Sequence, residues 1–337
     1  MIICLLGDFS EGLDEGYKNT CHYLSEWLQQ DNCSIEYLNI KHVYSPSFWK
    51  KLAHINPQVV HLIIQPTNSS LLFTSLMKSQ WPDTRVIISA LRPEKFFHGE
   101  ELTDIQAGLL RSAKPDLIVV QSNGARLLFE KYGCRALCLP NGVDTDRFRP
   151  VDPDEKNRLR RKYRVEADQP VALHVGHLSK KRNLLALADL PSAGIQVLIA
   201  GSTYMGMDAP LVEKLRKSGF NLLVGCQPQI EELYQLADCY LFPVHPGNSL
   251  SMPLSVLEAM ACNLPVITTR FSGLQEYFQE GNGLFFIQDY DQWVPLVRQA
   301  LSPSTNCATR TLVSAFSWRS IAGELSAIYS GLALGQY

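Results

Sequence analysis

Short apolar runs alternate with amphipathic segments along almost the whole of this 337-residue chain. The runs have the length and apolar content of buried strands, and the segments between them space their apolar residues as helices do. Tyr17, Cys21, Leu24 and Leu28 show that helical spacing. Strands that alternate with helices form parallel βαβ units, which place helices on both faces of a sheet. The pattern therefore predicts an α/β fold. The strands predicted in the first half are MIICLLG, SIEYLNI, VVHLIIQ, RVIISAL, DLIVVQS and RALCLP.

The alternation breaks between Pro140 and Pro153, where three prolines, three aspartates and an Asn-Gly pair interrupt it. It restarts after a basic segment, and a restart predicts a second open α/β domain. The strands predicted there are PVALHVG, IQVLIAG, NLLVGC, DCYLFPV and PVITTRF. We expect a Rossmann-like domain over 1–150, a linker over 151–165, a second Rossmann-like domain over 166–315 and a final helical segment over 316–337.

Composition excludes several classes of protein. With 46% hydrophobic and 19% charged residues, the chain is apolar enough for two cores. A net charge of −2 gives no sign of nucleic-acid binding. The first apolar run has no basic leader and meets Asp8 at once, which predicts a buried strand instead of a signal peptide. No run is long enough to span a membrane.

The nine cysteines are scattered, and no Cys-x-x-Cys pair occurs among them. This usage fits a reducing cytoplasm. Cys134 and Cys138 have no second pair to complete a metal site. Asp144 and Asp146 form an Asp-x-Asp, but they lie in the interrupted segment and not after a predicted strand of the second half. We therefore expect neither a metal nor a bound cofactor.

Ligands of open α/β sheets bind outside the carboxyl ends of the strands. Two such domains are expected to form a cleft, with the post-strand loops lining it. The loops in question follow Leu6, Gly176, Gly201, Gly225 and Val244.

A cluster of potential cations follows the strand that ends at Gly176. His177, Lys180, Lys181 and Arg182 occur within six positions. Arginine presents a planar fork to phosphate oxygens, and lysine a point charge. The cluster therefore predicts a phosphate or diphosphate site. The alternative is a solvated surface turn.

A second candidate anion site is the small polar loop 249–255, which opens a helix that carries Glu258. The first N–H groups of a helix have no partner within it, and the helix dipole adds positive potential there. A carboxylate one turn inside can accept hydrogen bonds from neighbouring hydroxyls, as a ribose requires. The alternative is an acidic residue that only stabilises its helix.

The first loop contains Gly7, Gly12 and Gly16, which permit close approach of a ligand. Their spacing is not that of a dinucleotide-binding fingerprint, and the acidic residues between them argue against such a cradle.

Five segments together resemble the family-4 glycosyltransferases of the GT-B fold. They are LPNGVDTDRFRP (139–150), VGHLSKKRN (175–183), GCQPQIEELYQLADCYLFPV (225–244), PLSVLEAMACNLPVITTRFSGLQE (253–276) and FSWRSIAGELSAIY (316–329). The resemblance covers about 117–330 and is weaker before that. It implies two Rossmann-like domains that face each other across a cleft, an acceptor-side N-terminal domain, a donor-binding C-terminal domain, and a last helix that crosses back to the first domain.

The resemblance also implies roles for particular residues. Glu258 matches the second glutamate of the E-x7-E motif and would hold the ribose hydroxyls of a nucleotide sugar. Arg182 takes the place of the motif lysine, and His177 that of the motif arginine. The remaining implied donor-binding positions are Gly16, Gly225, Gln227, Leu254 and Ser255, and the loop 225–229 would frame the base.

Two departures from the family pattern concern the sugar. Leu250 stands where the first motif glutamate is expected, so Ser249, Ser251 or water would have to replace that carboxylate. The histidine that often follows the strand equivalent to VIISAL is matched by Arg92 or by His98.

By resemblance, the expected reaction moves a sugar from a nucleotide diphosphate sugar to an unidentified hydroxyl acceptor, with retention and without metal. Arg182, Lys181 and Arg92 are the candidate catalytic residues. Three alternatives are a nucleotide-binding relative impaired by Leu250, a nucleotide-sugar epimerase on the same fold, and a two-lobed solute-binding protein. The basic stretch 156–164 is either a solvated helix or a peripheral contact with anionic lipid.

Overall fold

The computed structural model describes residues 1–12, 15–29, 34–93, 96–97, 101–202, 206–245, 252–289 and 292–335. The strands are β1 (Ile2–Gly7), β2 (Ser34–Asn39), β3 (Val59–Ile64), β4 (Arg85–Ala90), β5 (Leu117–Val120), β6 (Ala136–Cys138), β7 (Val171–His177), β8 (Gln196–Ser202), β9 (Asn221–Val224), β10 (Cys239–Phe242), β11 (Val266–Thr269) and β12 (Leu284–Ile287).

The helices are α1 (Gly16–Leu28), α2 (Pro46–Ile55), α3 (Asn68–Gln80), α4 (Asp104–Ala113), α5 (Asn123–Lys131), α6 (Pro153–Lys162), α7 (Ala209–Lys217), α8 (Ile230–Leu236), α9 (Leu254–Ala261), α10 (Ser272–Gln275), α11 (Trp293–Ala300), α12 (Thr309–Val313) and α13 (Trp318–Ala333).

Two compact units divide these elements. The first contains residues 1–11, 16–142 and 318–337, and the second contains 12–15 and 143–317. Each has a six-stranded sheet whose neighbouring strands are parallel, which confirms the predicted α/β class. The segment 151–165, expected as a linker, contains α6, and its Leu159 is fully buried in the core of the second unit.

The sheet of the first unit has the order β2-β1-β3-β4-β5-β6. Every residue of β3 is buried, as a central parallel strand with helices on both faces requires. Strand β2 lies at the edge and is largely exposed. Helix α3 starts with a capping box, because Thr67 Oγ1 accepts from the Ser70 N–H and Ser70 Oγ accepts from the Thr67 N–H. The local sequence therefore agrees with the layered fold.

The final helix α13 belongs to this first unit and packs beside α1. Its Trp318 stacks on Tyr23, with the ring centroids 5.4 Å apart. A Cβ added to Gly142 would lie 2.5 Å from the Trp318 ring, so only glycine fits there. This packing explains why an Asn-Gly pair precedes the point where the chain leaves the first unit.

His61 connects α13 to the centre of the same sheet. Its Nδ1 lies 2.7 Å from the Tyr329 hydroxyl and its Nε2 lies 2.8 Å from Ser89 Oγ. Burial lowers the pKa of His61 to about 3, so the imidazole is neutral and one ring nitrogen donates while the other accepts. Both nitrogens are therefore satisfied without a charge in the core.

The Tyr329→Phe variant tests this connection. The substitution leaves one buried nitrogen of His61 without its hydroxyl partner, and such a loss costs about 1–3 kcal/mol. We expect the midpoint of urea-induced unfolding to fall accordingly. Tyr37→Phe is the matched control, since half of Tyr37 is exposed and its loss should change stability little. Equal midpoints for Tyr329→Phe and the native chain would contradict the assigned role.

Candidate functional site

The strand order of the second sheet is β9-β8-β7-β10-β11-β12. The chain moves outward in one direction from β7 to β9 and in the other from β10 to β12. The loops after β7 and β10 therefore diverge and leave a crevice at the carboxyl ends of these two strands, where ligands of open α/β sheets bind. The turn that holds Arg182 follows β7, and α9 is the first described helix after β10.

Arg182 ends a short 3-10 turn, Lys180–Arg182, and its N–H donates to the Ser179 carbonyl. Its guanidinium carbon lies 5.3 Å from the centroid of the Phe242 ring, a cation–π contact with the last residue of β10. Lys180 and Lys181 on the same turn are exposed. Of the three cationic side chains on this turn, Arg182 is therefore the one that packing holds at the crevice.

Gly176 gives Arg182 and His174 the space they occupy. A Cβ at Gly176 would lie 3.1 Å from His174 Nε2 and 3.7 Å from Arg182 Nε. His174 is fully buried, and burial lowers its pKa to about 3. Its Nδ1 lies 2.8 Å from the Leu241 carbonyl and must donate, so Nε2 has no hydrogen. The sequence offered only one signal for this residue, a histidine inside an apolar strand.

His177 ends β7 and pairs with Glu15. The two side chains are 13% and 6% exposed, and His177 Nε2 lies 2.8 Å from Glu15 Oε2. Nδ1 of His177 is buried and has no hydrogen-bond partner among the described residues. The acidic residues of the first loop argued against a nucleotide cradle in the sequence, and the pair could not be predicted because nothing local links positions 15 and 177.

The amino end of α9 lies close to Tyr240, which is bonded to β7. The Tyr240 hydroxyl donates to the Val175 carbonyl at 3.2 Å, and Ser255 in the first turn of α9 is near enough to influence the ionisation of that hydroxyl. The N–H groups of Val256 and Leu257 lie within bonding distance of the Pro253 carbonyl. Within the described ranges, no acceptor is found for the earlier N–H groups of the helix, at Leu254 and Ser255, and such groups are donors for an anion.

Glu258 is buried one turn inside α9 and accepts a 2.6 Å hydrogen bond from the Tyr234 hydroxyl at Oε2. Burial raises the pKa of Glu258 to about 7, with a smaller contribution from Glu231. The Tyr234 hydrogen bond and the charge of Arg147 act in the opposite direction. Near neutral pH, the carboxyl is therefore divided between its neutral and charged forms.

Glu258 and Arg182 rest on one row of rings. Tyr234 stacks on Tyr240 with centroids 5.7 Å apart, and His174 contacts Tyr240 at 6.3 Å and Phe242 at 5.9 Å. Glu258 bonds to Tyr234 at one end, and Arg182 lies over Phe242 at the other. We call these four rings the aromatic row. It gives the anionic and cationic side chains a common rigid support.

The 144–148 segment is also built into this unit. Arg147 donates to Glu231, with its Nη2 2.7 Å from Oε2, and Phe148 packs edge-on against Tyr234 at 5.5 Å. Arg310 donates to the carbonyls of Thr145 and Phe148 at 2.9 and 3.0 Å. The signature that interrupts the sequence pattern is therefore a packed support for the aromatic row.

The loop 225–229 lies at the carboxyl end of β9. Gly225 has φ +102°, a conformation that glycine adopts readily, and its N–H donates to the Gly201 carbonyl at 2.8 Å. Gln227 donates from Nε2 to the Gly225 carbonyl at 3.3 Å. The backbone of this loop is therefore anchored to β8.

The remaining predicted residues belong to the first unit or lie outside the described residues. Gly16 is the first residue of α1, and Arg92 is half-buried with φ +52°, both in the first unit. His98, Ser249, Leu250 and Ser251 lie outside the described residues. Within the described ranges, no group of three or more His, Cys, Asp or Glu side chains is arranged to hold a metal ion.

The basic stretch 156–164 forms most of α6, and several of its charges are paired. Lys156 and Arg160 bond to Asp238, and Lys162 bonds to Glu232. Arg158 pairs with Glu155 on the same helix. These pairs use much of the charge that a contact with anionic lipid would need. No described helix has both the length and the apolar content that crossing a bilayer requires.

The Glu258→Gln variant tests the cost of the buried carboxyl. Because the folded-state pKa of about 7 exceeds the unfolded value near 4.5, the folded state binds the proton more tightly and the wild type loses stability as pH rises through this range. Glutamine cannot ionise and still accepts from Tyr234. We expect the variant to gain stability relative to the wild type between pH 5 and 8, measured by urea unfolding. Glu213→Gln, on the exposed face of α7, is the control. A stability difference independent of pH would contradict the expectation.

Residues 155–309 match the family described as Glycosyl transferases group 1. A curated D-inositol 3-phosphate glycosyltransferase from Geodermatophilus obscurus is 29% identical over 242 residues, which cover 64% of this chain and 52% of that protein. The chain spans about half or less of the length of the first curated relatives that it matches.

Solved structures share the fold at low sequence identity. Sucrose-phosphate synthase from Thermosynechococcus elongatus superposes with a TM-score of 0.79 at 16% identity, covering 99% of this chain and 100% of that one. Anabaena Alr3699/HepE in complex with UDP-glucose gives 0.77 at 15% identity, covering 98% and 100%. Residues 155–309 are therefore similar to the family described as Glycosyl transferases group 1, and the chain shares the two-sheet GT-B fold of these solved structures.

Proposed function

We propose that this chain is a glycosyltransferase that takes a sugar from a nucleotide diphosphate sugar and attaches it to a hydroxyl acceptor. One observation carries the proposal. Arg182 and the amino end of α9 both lie at the crevice between the carboxyl ends of β7 and β10, inside the segment that matches the family model. A diphosphate is the part of the donor that needs a fixed cation and free N–H groups together.

Arg182 suits the diphosphate for a physical reason. Its guanidinium is held against Phe242 before any ligand arrives, so little reorganisation is needed when charge develops on the leaving group. The N–H groups of Leu254 and Ser255, in the first turn of α9, add donors from the helix end. Lys181 is exposed, so we assign it a smaller electrostatic contribution.

Glu258 suits the ribose. Tyr234 occupies its Oε2, and a carboxylate retains further acceptor capacity for the two hydroxyls of a ribose. Those hydroxyls would stabilise the charged form, which burial alone disfavours. The loop 225–229, anchored to β8 through Gly225, is the proposed support for the base, with Gln227 on it.

We propose transfer with retention and without metal, as the family resemblance implies. The bond from the anomeric carbon to the diphosphate oxygen breaks, and the acceptor oxygen bonds to that carbon from the same face. The acceptor proton passes to a phosphate oxygen of the leaving group, so no protein base is required. Arg182 and the end of α9 stabilise the charge that the diphosphate gains.

Similar proteins support this class of donor. The neighbouring Anabaena structure contains UDP-glucose, and the curated relative from Geodermatophilus is named for glycosyl transfer to D-inositol 3-phosphate. For this chain, the proposal names the donor as a nucleotide diphosphate sugar and the acceptor as a hydroxyl compound. A cytoplasmic location is part of the proposal, and the eight described cysteines, all free, fit a reducing compartment.

One sequence feature favours a second function. Leu250 replaces the motif carboxylate that the resemblance places at the transferred sugar, so a relative that binds nucleotide sugars without transferring them is the alternative. An epimerase differs from both, because it would convert the sugar nucleotide with no acceptor present. The proposed transferase instead releases nucleoside diphosphate only with an acceptor.

A thermal-shift panel tests the proposed function. UDP-glucose, UDP-N-acetylglucosamine, GDP-mannose and ADP-glucose are compared with the free sugars. A donor at 100 times its Kd adds about 2.7 kcal/mol to the free energy of unfolding, which raises the melting temperature by several degrees. We expect at least one nucleotide sugar to do so. Absence of any shift across the panel would overturn the proposal, and binding without acceptor-dependent nucleotide release would favour the alternative.

Arg182→Ala tests the diphosphate assignment. Loss of one preorganised donor at a developing charge reduces turnover by on the order of 10²-fold or more. We expect a loss of that size in kcat/KM for the donor identified by the panel. Arg216→Ala removes an exposed arginine from α7 and serves as the control, with activity expected to stay unchanged. Equal kinetics for the two variants would remove Arg182 from the site.

A further inference from the structure

The sheet of the second unit opens between the ends of β7 and β10. The residues paired between these strands are Ala172 with Cys239 and Leu173 with Tyr240, and within the described ranges their ladder stops there. On its other side each strand stays paired to its last residue, β7 with β8 and β10 with β11. The opening is therefore local, and it lies where Arg182 packs on the end of β10.

His174 bridges this opening. It is the first residue of β7 beyond the ladder, and it is fully buried. Its Nδ1 donates to the Leu241 carbonyl of β10 at 2.8 Å. A buried carbonyl beyond the end of a ladder needs another donor, and His174 supplies it. A second bridge runs the other way, from the Tyr240 hydroxyl to the Val175 carbonyl. Side chains thus hold the two strands at a wider spacing than backbone pairing would.

The ring of His174 also packs against the end of β10. Its centroid lies 6.3 Å from that of Tyr240 and 5.9 Å from that of Phe242. The guanidinium of Arg182 rests on the same Phe242 ring, at 5.3 Å. A movement of β10 towards or away from β7 would therefore displace the surface that supports Arg182. His174 and Arg182 are linked through Phe242.

His174 fills this place without adding a charge beside a cation. Burial lowers its pKa to about 3, and the charge of Arg182 acts in the same direction. Its Nε2 is buried, has no hydrogen-bond partner among the residues that the structure describes, and faces the space beside Gly176. An apolar ring here would give up the bond to Leu241, and a permanently charged side chain would repel Arg182.

We propose that His174 is a positioning residue of the donor site. By its bond to the Leu241 carbonyl it fixes the spacing of β7 and β10, and through Phe242 it fixes where Arg182 meets the diphosphate. This role rests on the proposed function and involves no proton transfer. Because the diphosphate gains charge as the sugar leaves, a displaced guanidinium weakens the transition state more than the bound donor.

Two variants of nearly equal size test the bond to Leu241. Asparagine in His174→Asn places an amide N–H at the position of Nδ1, and leucine in His174→Leu has the same branched shape without a donor. Both lose the ring, so a difference between them belongs to the bond. We expect His174→Leu to lower kcat roughly tenfold with a smaller rise in KM, since a displacement of about 1 Å can cost ~10²-fold. His174→Asn should recover much of that loss.

A double-mutant cycle with Arg182→Ala shows whether His174 acts through Arg182. Once the guanidinium is absent its position no longer matters, so adding His174→Leu should lower kcat no further. His61→Leu replaces a fully buried histidine of β3 in the first unit and is the control, with the same effect expected in both backgrounds. Calorimetric titration with UDP, GDP and ADP gives Kd for the same cycle without an acceptor, and thermal melting confirms that each variant is folded.

The possible results distinguish this role from the proposed function. Native kcat in His174→Leu would overturn the role of His174, and equal kcat in His174→Leu and His174→Asn would overturn the role of the bond. An equal loss from His174→Leu with and without Arg182 would overturn the link between the two residues. Each of these results leaves the proposed function intact. Failure of all three nucleoside diphosphates to bind the native chain would overturn the proposed donor site itself.

Discussion

The adjacency of β7 and β10 is the constraint on which the candidate site depends. Both strands are parallel, so their carboxyl ends meet at one edge, and their connections depart in opposite directions. That arrangement opens a crevice without any special loop. It also explains why Arg182, which follows β7, packs on Phe242, which ends β10. The sheet topology thus brings together residues that are far apart in sequence.

The same crevice places ionisable groups where burial opposes their charge. Glu258 has a pKa of about 7 because it is buried beside Tyr234, and His174 is held neutral on the neighbouring strand. A core designed only for stability would use apolar residues at such positions. Here the aromatic row includes His174 and contacts Glu258 instead. Such ionisable groups lower the stability of the folded state and are typical of binding sites.

Much of the fold could be predicted because buried parallel strands are continuous apolar runs. The run VVHLII predicted β3, and every residue of that strand is buried in the structure. The packing of residues 151–165 on the second unit was harder to predict from the sequence, since α6 is highly charged and only its Leu159 and Arg160 are buried. A helix with so narrow a buried face resembles a solvated linker in sequence, and its pairing with Asp238 and Glu232 is non-local.

The site was predictable only in part. Arg182 and Glu258 stand in recognisable segments, and the structure supplies what they pack against. Tyr234 and Tyr240 looked like core residues, because a sequence does not show that a buried hydroxyl meets a carboxylate or a serine. The contact between Glu15 and His177 joins distant segments, so no periodicity or spacing could reveal it.

Two of the departures from the family motif are opposite in charge. Leu250 replaces a carboxylate and removes one negative charge, while His177 replaces an arginine and removes one fixed positive charge. Glu15 Oε2 lies 2.8 Å from His177 Nε2, and both side chains are largely buried in the second unit. Position 250 therefore lacks the motif carboxylate, while another carboxylate, from the first loop, lies against the residue that replaces the motif arginine.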